Sequence, residues 1–130
     1  MALKIELKPE ERLFIGEHVI INGNDRRMKV VIESKSRMLR ESEILAEADA
    51  VTACDKLQVS LQHLYLSNDT PRFQRELAGH FLAIIESMPG FKQLVDEISD
   101  HVSEERYYPA LKVARTLRER EKAILAAIGR

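Results

Sequence analysis

The stretch His18-Val19-Ile20-Ile21-Asn22-Gly23-Asn24-Asp25-Arg26-Arg27-Met28-Lys29-Val30-Val31-Ile32-Glu33 decides the character of the amino-terminal half. Two runs rich in Val and Ile flank a turn made of Asn, Gly and Asp. Branched side chains fit the pleated surface of a strand. Asn and Gly tolerate the positive φ that a tight reversal needs. The spacing predicts a β-hairpin in which residues 27–33 return against residues 18–21, with Met28, Val30 and Ile32 on one face.

Upstream of this stretch, Leu3, Ile5 and Leu7 alternate with Lys4, Glu6 and Lys8, the two-residue period of a half-buried strand. Pro9-Glu10-Glu11 follows as a turn, because Pro fixes φ and lacks a ladder donor. Residues 12–15 read as another strand, with Gly16 as a bend before residue 18. Downstream, residues 37–41 read as a further short strand. Residues 1–45 are thus expected to form a small twisted antiparallel sheet or open barrel.

Beyond residue 45 the period changes. Cys54, Leu57, Leu61 and Leu64 recur at helical spacing. Asn68-Asp69-Thr70-Pro71 stops one helix and starts the next, with Thr70 as N-cap and Pro71 in the first helical position. Phe73, Leu77, Phe81, Ile84 and Met88 form a second stripe that Pro89-Gly90 ends. Phe91, Leu94, Val95, Ile98 and Val102 form a third. A fourth helix is expected from about residue 109 to residue 128. The fold class is therefore α+β: a β-rich head over residues 1–45 and a bundle of about four helices over residues 46–130, packed as one unit.

Composition agrees with a folded chain. Of 130 residues, 45% are hydrophobic and 32% charged, too apolar for a disordered protein. Trp is absent and aromatics are 5%, so the core must be mostly Leu, Ile, Val and Met. The single cysteine, Cys54, excludes an internal disulfide and fits a reducing compartment. Charges stand at the N-terminus where a secretion signal needs apolar residues. The longest stretch free of Asp, Glu, Lys and Arg is residues 57–68, well short of the roughly 18 apolar residues a membrane span needs. The expected location is cytoplasmic, with no membrane contact.

The net charge of −1 conceals blocks of opposite sign. Residues 22–40 hold Arg26, Arg27, Lys29, Lys35, Arg37 and Arg40 against Asp25 and Glu33. Residues 106–130 hold seven basic against two acidic residues, whereas residues 89–105 hold one against five. Basic blocks of this size attract phosphates even when net charge is near zero. The plainer alternative is a solvated surface, or acidic blocks pairing with basic ones. In the last helix Lys112, Arg115, Arg118 and Lys122 fall within about 120° of arc at roughly 100° per residue. They form a second candidate basic face, read as the wet side of an amphipathic helix or, more sharply, as a second RNA contact or a partner-docking face.

Nothing in the sequence announces catalysis. His18, His63, His80 and His101 form no H-x-x-x-H or H-E-x-x-H pair, and Cys54 with His63 has no neighbours to complete a zinc site. Phosphate-cradling and nucleophile-elbow motifs are absent. Glu10-Glu11 and Glu104-Glu105 are adjacent, so the members of each pair point apart. The expectation is no enzyme, no catalytic residue, no metal and no cofactor.

One set of residues carries a family resemblance. Leu7-Lys8-Pro9, Glu11-Arg12, Asn22-Gly23-Asn24-Asp25-Arg26-Arg27, Ile32-Glu33, Leu39-Arg40-Glu41, Ile44 and Leu64-Tyr65-Leu66 resemble the FlbT family, flagellin-mRNA regulators of alphaproteobacteria. Glu10 stands where that family has Gly, and Gly16-Glu17-His18 departs from its Asn-Gly-Ala. The resemblance implies a cytoplasmic regulator that associates with the 5′ untranslated leader of flagellin mRNA. There it limits translation or promotes decay, and in some bacteria its effect on flagellin is positive. The flagellar regulator FlaF is an implied partner.

Residues 1–45 are also similar, more distantly, to the carbon storage regulator family of small RNA-binding β proteins. Leu13-Phe14-Ile15-Gly16 and Arg40-Glu41 are the matching runs. That similarity implies an RNA-binding head, recognition of GGA loops along the first and last strands, and a homodimer through the head. Lys8 and Arg40 would then reach the same RNA. Arg26, Arg27, Lys29, Lys35 and Arg37 complete the expected contact set, since guanidinium groups pair with phosphate or guanine and stack on bases. The rival reading is a flagellar adaptor that docks FlaF or flagellin through its helices and touches RNA only indirectly.

Overall fold

The alternation of Leu3, Ile5 and Leu7 with charged residues produces the first strand, β1 (Leu3–Leu7), in which Ile5 and Leu7 are buried. The computed structural model describes residues 2–67 and 70–129. It continues with β2 (Arg12–Ile15), β3 (His18–Ile21), β4 (Met28–Ile32) and β5 (Met38–Arg40). All pairings are antiparallel: β1 with β4, and β2 between β3 and β5. Ile5, Leu7 and Leu13 form the small core, with Ile15, Val30, Ile32 and Met38 packed against it. Met28, Val30 and Ile32 share the inward face of β4, as their period requires.

The expected hairpin between residues 18–21 and 27–33 does not form. β3 pairs with β2, and β4 crosses to β1, with Leu3 opposite Ile32 and Leu7 opposite Met28. The cause is Asn22, which is fully buried. Its side-chain amide donates to the carbonyls of Leu7, Lys8 and Arg26 at 3.0, 3.1 and 3.0 Å. Its Oδ1 accepts the Asn24 N–H at 3.0 Å, an Asx turn. The Asn-Gly signal is therefore a turn, but one anchored to the end of β1. Residues 23–27 carry the chain away from β3.

Gly16 is a bend, as expected, at φ 56°. Glu10 also adopts a left-handed conformation, φ 62°, which favours glycine. β3 lies at the edge of its sheet with all four side chains exposed, Val19, Ile20 and Ile21 among them.

The chain divides into two units, Met1–Ile44 and Leu45–Arg130. The second is helical: α1 (Ala53–Ser67), α2 (Thr70–Ser87), α3 (Lys92–Ser103) and α4 (Tyr107–Ile128). Cys54, Leu57, Leu61 and Leu64 are wholly buried on α1, so the helical spacing marks the packed face. The expected break at Asn68-Asp69 lies outside the described residues, as does the side chain of Thr70, where α2 begins. Pro89-Gly90 ends α2 in a short 3-10 turn that leads into α3.

A strap over residues 45–52 precedes α1. The Gln62 amide receives the Leu45 N–H at 2.8 Å and donates to the Leu45 carbonyl at 2.9 Å, as a neighbouring strand would. Thr52 and Asp55 cap α1 reciprocally: Asp55 N–H donates to Thr52 Oγ1, and Thr52 N–H to Asp55 Oδ2. No helix among the described residues is long and apolar enough to cross a membrane.

Candidate nucleic-acid interface

Since Ile5 and Leu7 face inward, Lys4 and Glu6 face outward on β1, and register places Lys29 directly opposite Glu6 on β4. Facing residues of an antiparallel pair project from the same side of the ribbon. Arg27 joins them, its Nη1 lying 3.6 Å from Glu6 Oε1. Lys8 follows at the end of β1, exposed. Lys4, Lys8, Arg27 and Lys29 thus gather on the β1–β4 ribbon around Glu6, and Lys8 also borders a cleft lined by Glu10, Glu11 and Glu41. At about 3.4 Å per residue, positions 4 and 8 are roughly 14 Å apart. Lys8, Arg27 and Lys29 belong to the expected contact set. Lys4 does not, although the alternation that defines β1 already places it on the same face.

The remaining expected residues are placed differently. Arg26 sits at the turn tip, 3.9 Å from Asp25, with both side chains almost fully exposed. Lys35 is exposed and Arg37 half-buried in the connection before β5. Arg40 is tethered. Its Nη2 donates to the Glu6 carbonyl at 2.7 Å and to both carboxylate oxygens of Glu11 at 3.4 Å. It therefore fastens β5 to β1 and to the β1–β2 turn. Glu11 accepts the Lys8 N–H at 2.9 Å, and that bond, together with the Arg40 charge, holds its carboxyl below the usual range.

The second basic face needs a correction. Lys112 and Lys122 are exposed, the former with its ammonium 5.1 Å from the Tyr108 ring centroid, and Arg115 is half-buried. Arg118 leaves the wet side altogether. Its Nε lies 2.7 Å from Asp55 Oδ1 and its Nη1 donates to Gln58 Oε1 at 3.0 Å; only 17% of its side chain is exposed. Burial alone pushes the Asp55 carboxyl up. Hydrogen bonds from Arg118 and from the Val51 and Thr52 N–H groups outweigh this and hold it below the ordinary range. A guanidinium beside a buried acid is drawn in regardless of the arc it occupies on a helical wheel.

The helical unit also joins two histidines that no motif links. A cleft of about 360 Å³ is lined by Glu47, Lys56, Ser60, His63, Glu76 and His80 with Ala50 and Val59. His63 Nε2 lies 2.8 Å from Glu47 Oε1, and its ring stacks on Phe73. Ser60 Oγ lies 3.1 Å from His80 Nε2 and donates to Glu76 Oε2 at 3.3 Å. Burial holds the His80 imidazole below its ordinary range and therefore neutral at pH 7. Among the described residues, no group of three or more His, Cys, Asp or Glu could hold a metal ion. The lone thiol, Cys54, is pushed up by burial, then by the neighbouring Glu121 carboxylate, and is a packing group.

The model of the flagellar protein FlbT family matches residues 3–125. The chain belongs to the FlbT family. A relative in Rhodopseudomonas palustris (strain TIE-1), named probable flagellum biosynthesis repressor protein FlbT, is 36% identical over 126 residues; the match covers 97% of this chain and 99% of the relative. The flagellum biosynthesis repressor protein FlbT of Caulobacter vibrioides (strain ATCC 19089 / CIP 103742 / CB 15) is 32% identical over 133 residues, covering 99% of this chain and 93% of the relative. No solved structure matches the chain. Within the FlbT match lie both the cationic ribbon face and the Arg40 fastener.

Proposed function

We propose that this FlbT-family chain is a post-transcriptional regulator of flagellar synthesis. It binds the 5′ leader of flagellin mRNA through the outward face of the β1–β4 ribbon, and thereby limits translation or promotes decay of the message. Family membership and relatives named as flagellum biosynthesis repressors support the flagellar part of this reading. The observation that carries the RNA part is the gathering of Lys4, Lys8, Arg27 and Lys29 along one exposed face of the ribbon, with Glu6 between them and the acidic turn of Glu10 and Glu11 at the Lys8 end. Such a strip tracks a phosphate backbone and releases its counterions. Phe14, the one aromatic of the β unit, is half-buried in β2, so recognition rests on cations and backbone groups rather than on aromatic stacking.

Binding of the purified chain to a flagellin leader hairpin across a salt series tests the reading. Four phosphate contacts at roughly 0.7 each give a log–log slope near −3 for a single strand. A flat response, or no binding at low salt, contradicts it.

A further inference from the structure

The packed stripe of α4 does not stop where the bundle stops. Ala110, Ala114, Leu117 and Glu121 are buried along one side of this helix. At 3.6 residues per turn, Ile124, Leu125 and Ile128 continue the same direction for two further turns. They are 43%, 51% and 74% exposed. Glu121 adjoins Cys54, which lies at the start of α1, so the projecting turns pass the end of the bundle where Val51 is also exposed. A single exposed Leu needs no explanation, but an apolar stripe in register with a core does.

Charge indicates what covers it. Arg120 and Lys122 flank Glu121 in sequence, so they point about 100° to either side of the stripe at its base, about one turn before the exposed residues. Both are exposed, and neither has an ion-pair partner among the described residues. We propose that the carboxy-terminal turns of α4 dock an amphipathic helix of a partner protein whose apolar face is bordered by Asp and Glu. A straight stripe two turns long matches a helix laid alongside it. Positive charge on both sides of the stripe's base selects negative charge at the facing end of the partner helix.

The test uses the full chain and two labelled synthetic helical peptides with one Leu stripe, bordered by Glu in one and by Lys in the other. Fluorescence anisotropy reports binding. The Glu peptide is expected to bind, to weaken with salt, and to lose at least about tenfold in affinity on Leu125→Asp, a surface change that leaves the circular dichroism unaltered. Arg120→Glu with Lys122→Glu is expected to shift preference to the Lys peptide. The proposal is overturned by equal binding of both peptides, by no binding of either, by full affinity in Leu125→Asp, or by wild-type self-association that Leu125→Asp abolishes. Capture of the chain by vesicles of phosphatidylserine and phosphatidylcholine, with the Glu peptide left unbound, overturns it in favour of a lipid surface.

Discussion

The two basic stretches of this chain, residues 22–40 and 106–130, both carry a surplus of positive charge, and their side chains are placed by different rules. On the β1–β4 ribbon the pleat sends every second residue outward. Lys4 and Lys29 have no choice of face, and Lys8 and Arg27 extend the row. On α4 the arc containing Lys112, Arg115, Arg118 and Lys122 borders the packed stripe, and a buried acid on a neighbouring helix draws one of the four inside. A strand pattern sorts charge by parity, although Arg40 on β5 is tied down by the Glu11 carboxylate within its reach. A helical pattern sorts it by arc, and side chains at the margin of the arc go where their partners are.

The largest effect expected from this contrast comes from Arg118→Met. The substitution keeps much of the stem but strands the Asp55 carboxylate in the bundle, at a cost of about 3 kcal/mol in urea unfolding. Its sign with pH follows from Asp55. The folded carboxyl is held below its ordinary range, so its contribution to stability is present above that range and is lost as pH falls through the lowered folded value. The wild-type chain should therefore show an acid-sensitive component that Arg118→Met flattens. An unchanged midpoint together with an unchanged acid limb would place Arg118 back on the wet face.

A smaller effect of opposite sign belongs to the β unit. Glu10 holds φ 62° with its side chain exposed. Glu10→Gly relieves a left-handed strain of about 1–2 kcal/mol, partly offset by the greater freedom of Gly in the unfolded chain, for a net gain of about 0.5–1 kcal/mol. Thermal or urea unfolding measures it. A loss of stability would mean that the Glu10 side chain holds the β1–β2 turn in place.

Much of the fold is legible in the residues. The two-residue alternation of β1 and β4 and the stripes of α1, α2 and α3 appear where period predicts them, because burial on one face is what creates the period. Strand pairing is less legible. The Asn-Gly turn announces a reversal, but its destination is decided by the Asn22 amide, which reaches carbonyls fourteen and fifteen residues away in the sequence. The site follows the same division. Lys8, Arg27 and Lys29 are readable from alternation and composition, and Lys4 is readable from the same alternation. The tethering of Arg40 is not, because its acceptors, the Glu6 carbonyl and the Glu11 carboxylate, stand thirty-four and twenty-nine residues away. The joining of His63 to His80 in one cleft likewise depends on how α1 and α2 pack rather than on any local spacing.

The most direct measurement compares two double variants on the same leader RNA: Lys4→Ala with Lys29→Ala on the ribbon, and Lys112→Ala with Lys122→Ala on α4. All four side chains are exposed, so neither variant should change stability by more than about 0.5 kcal/mol. The ribbon variant is expected to weaken binding at low salt and to flatten the salt slope by about 1.4, from roughly 0.7 per lost contact, while the α4 variant binds as wild type. Wild-type binding by the ribbon variant, or loss confined to the α4 variant, would contradict an RNA surface on the β1–β4 ribbon.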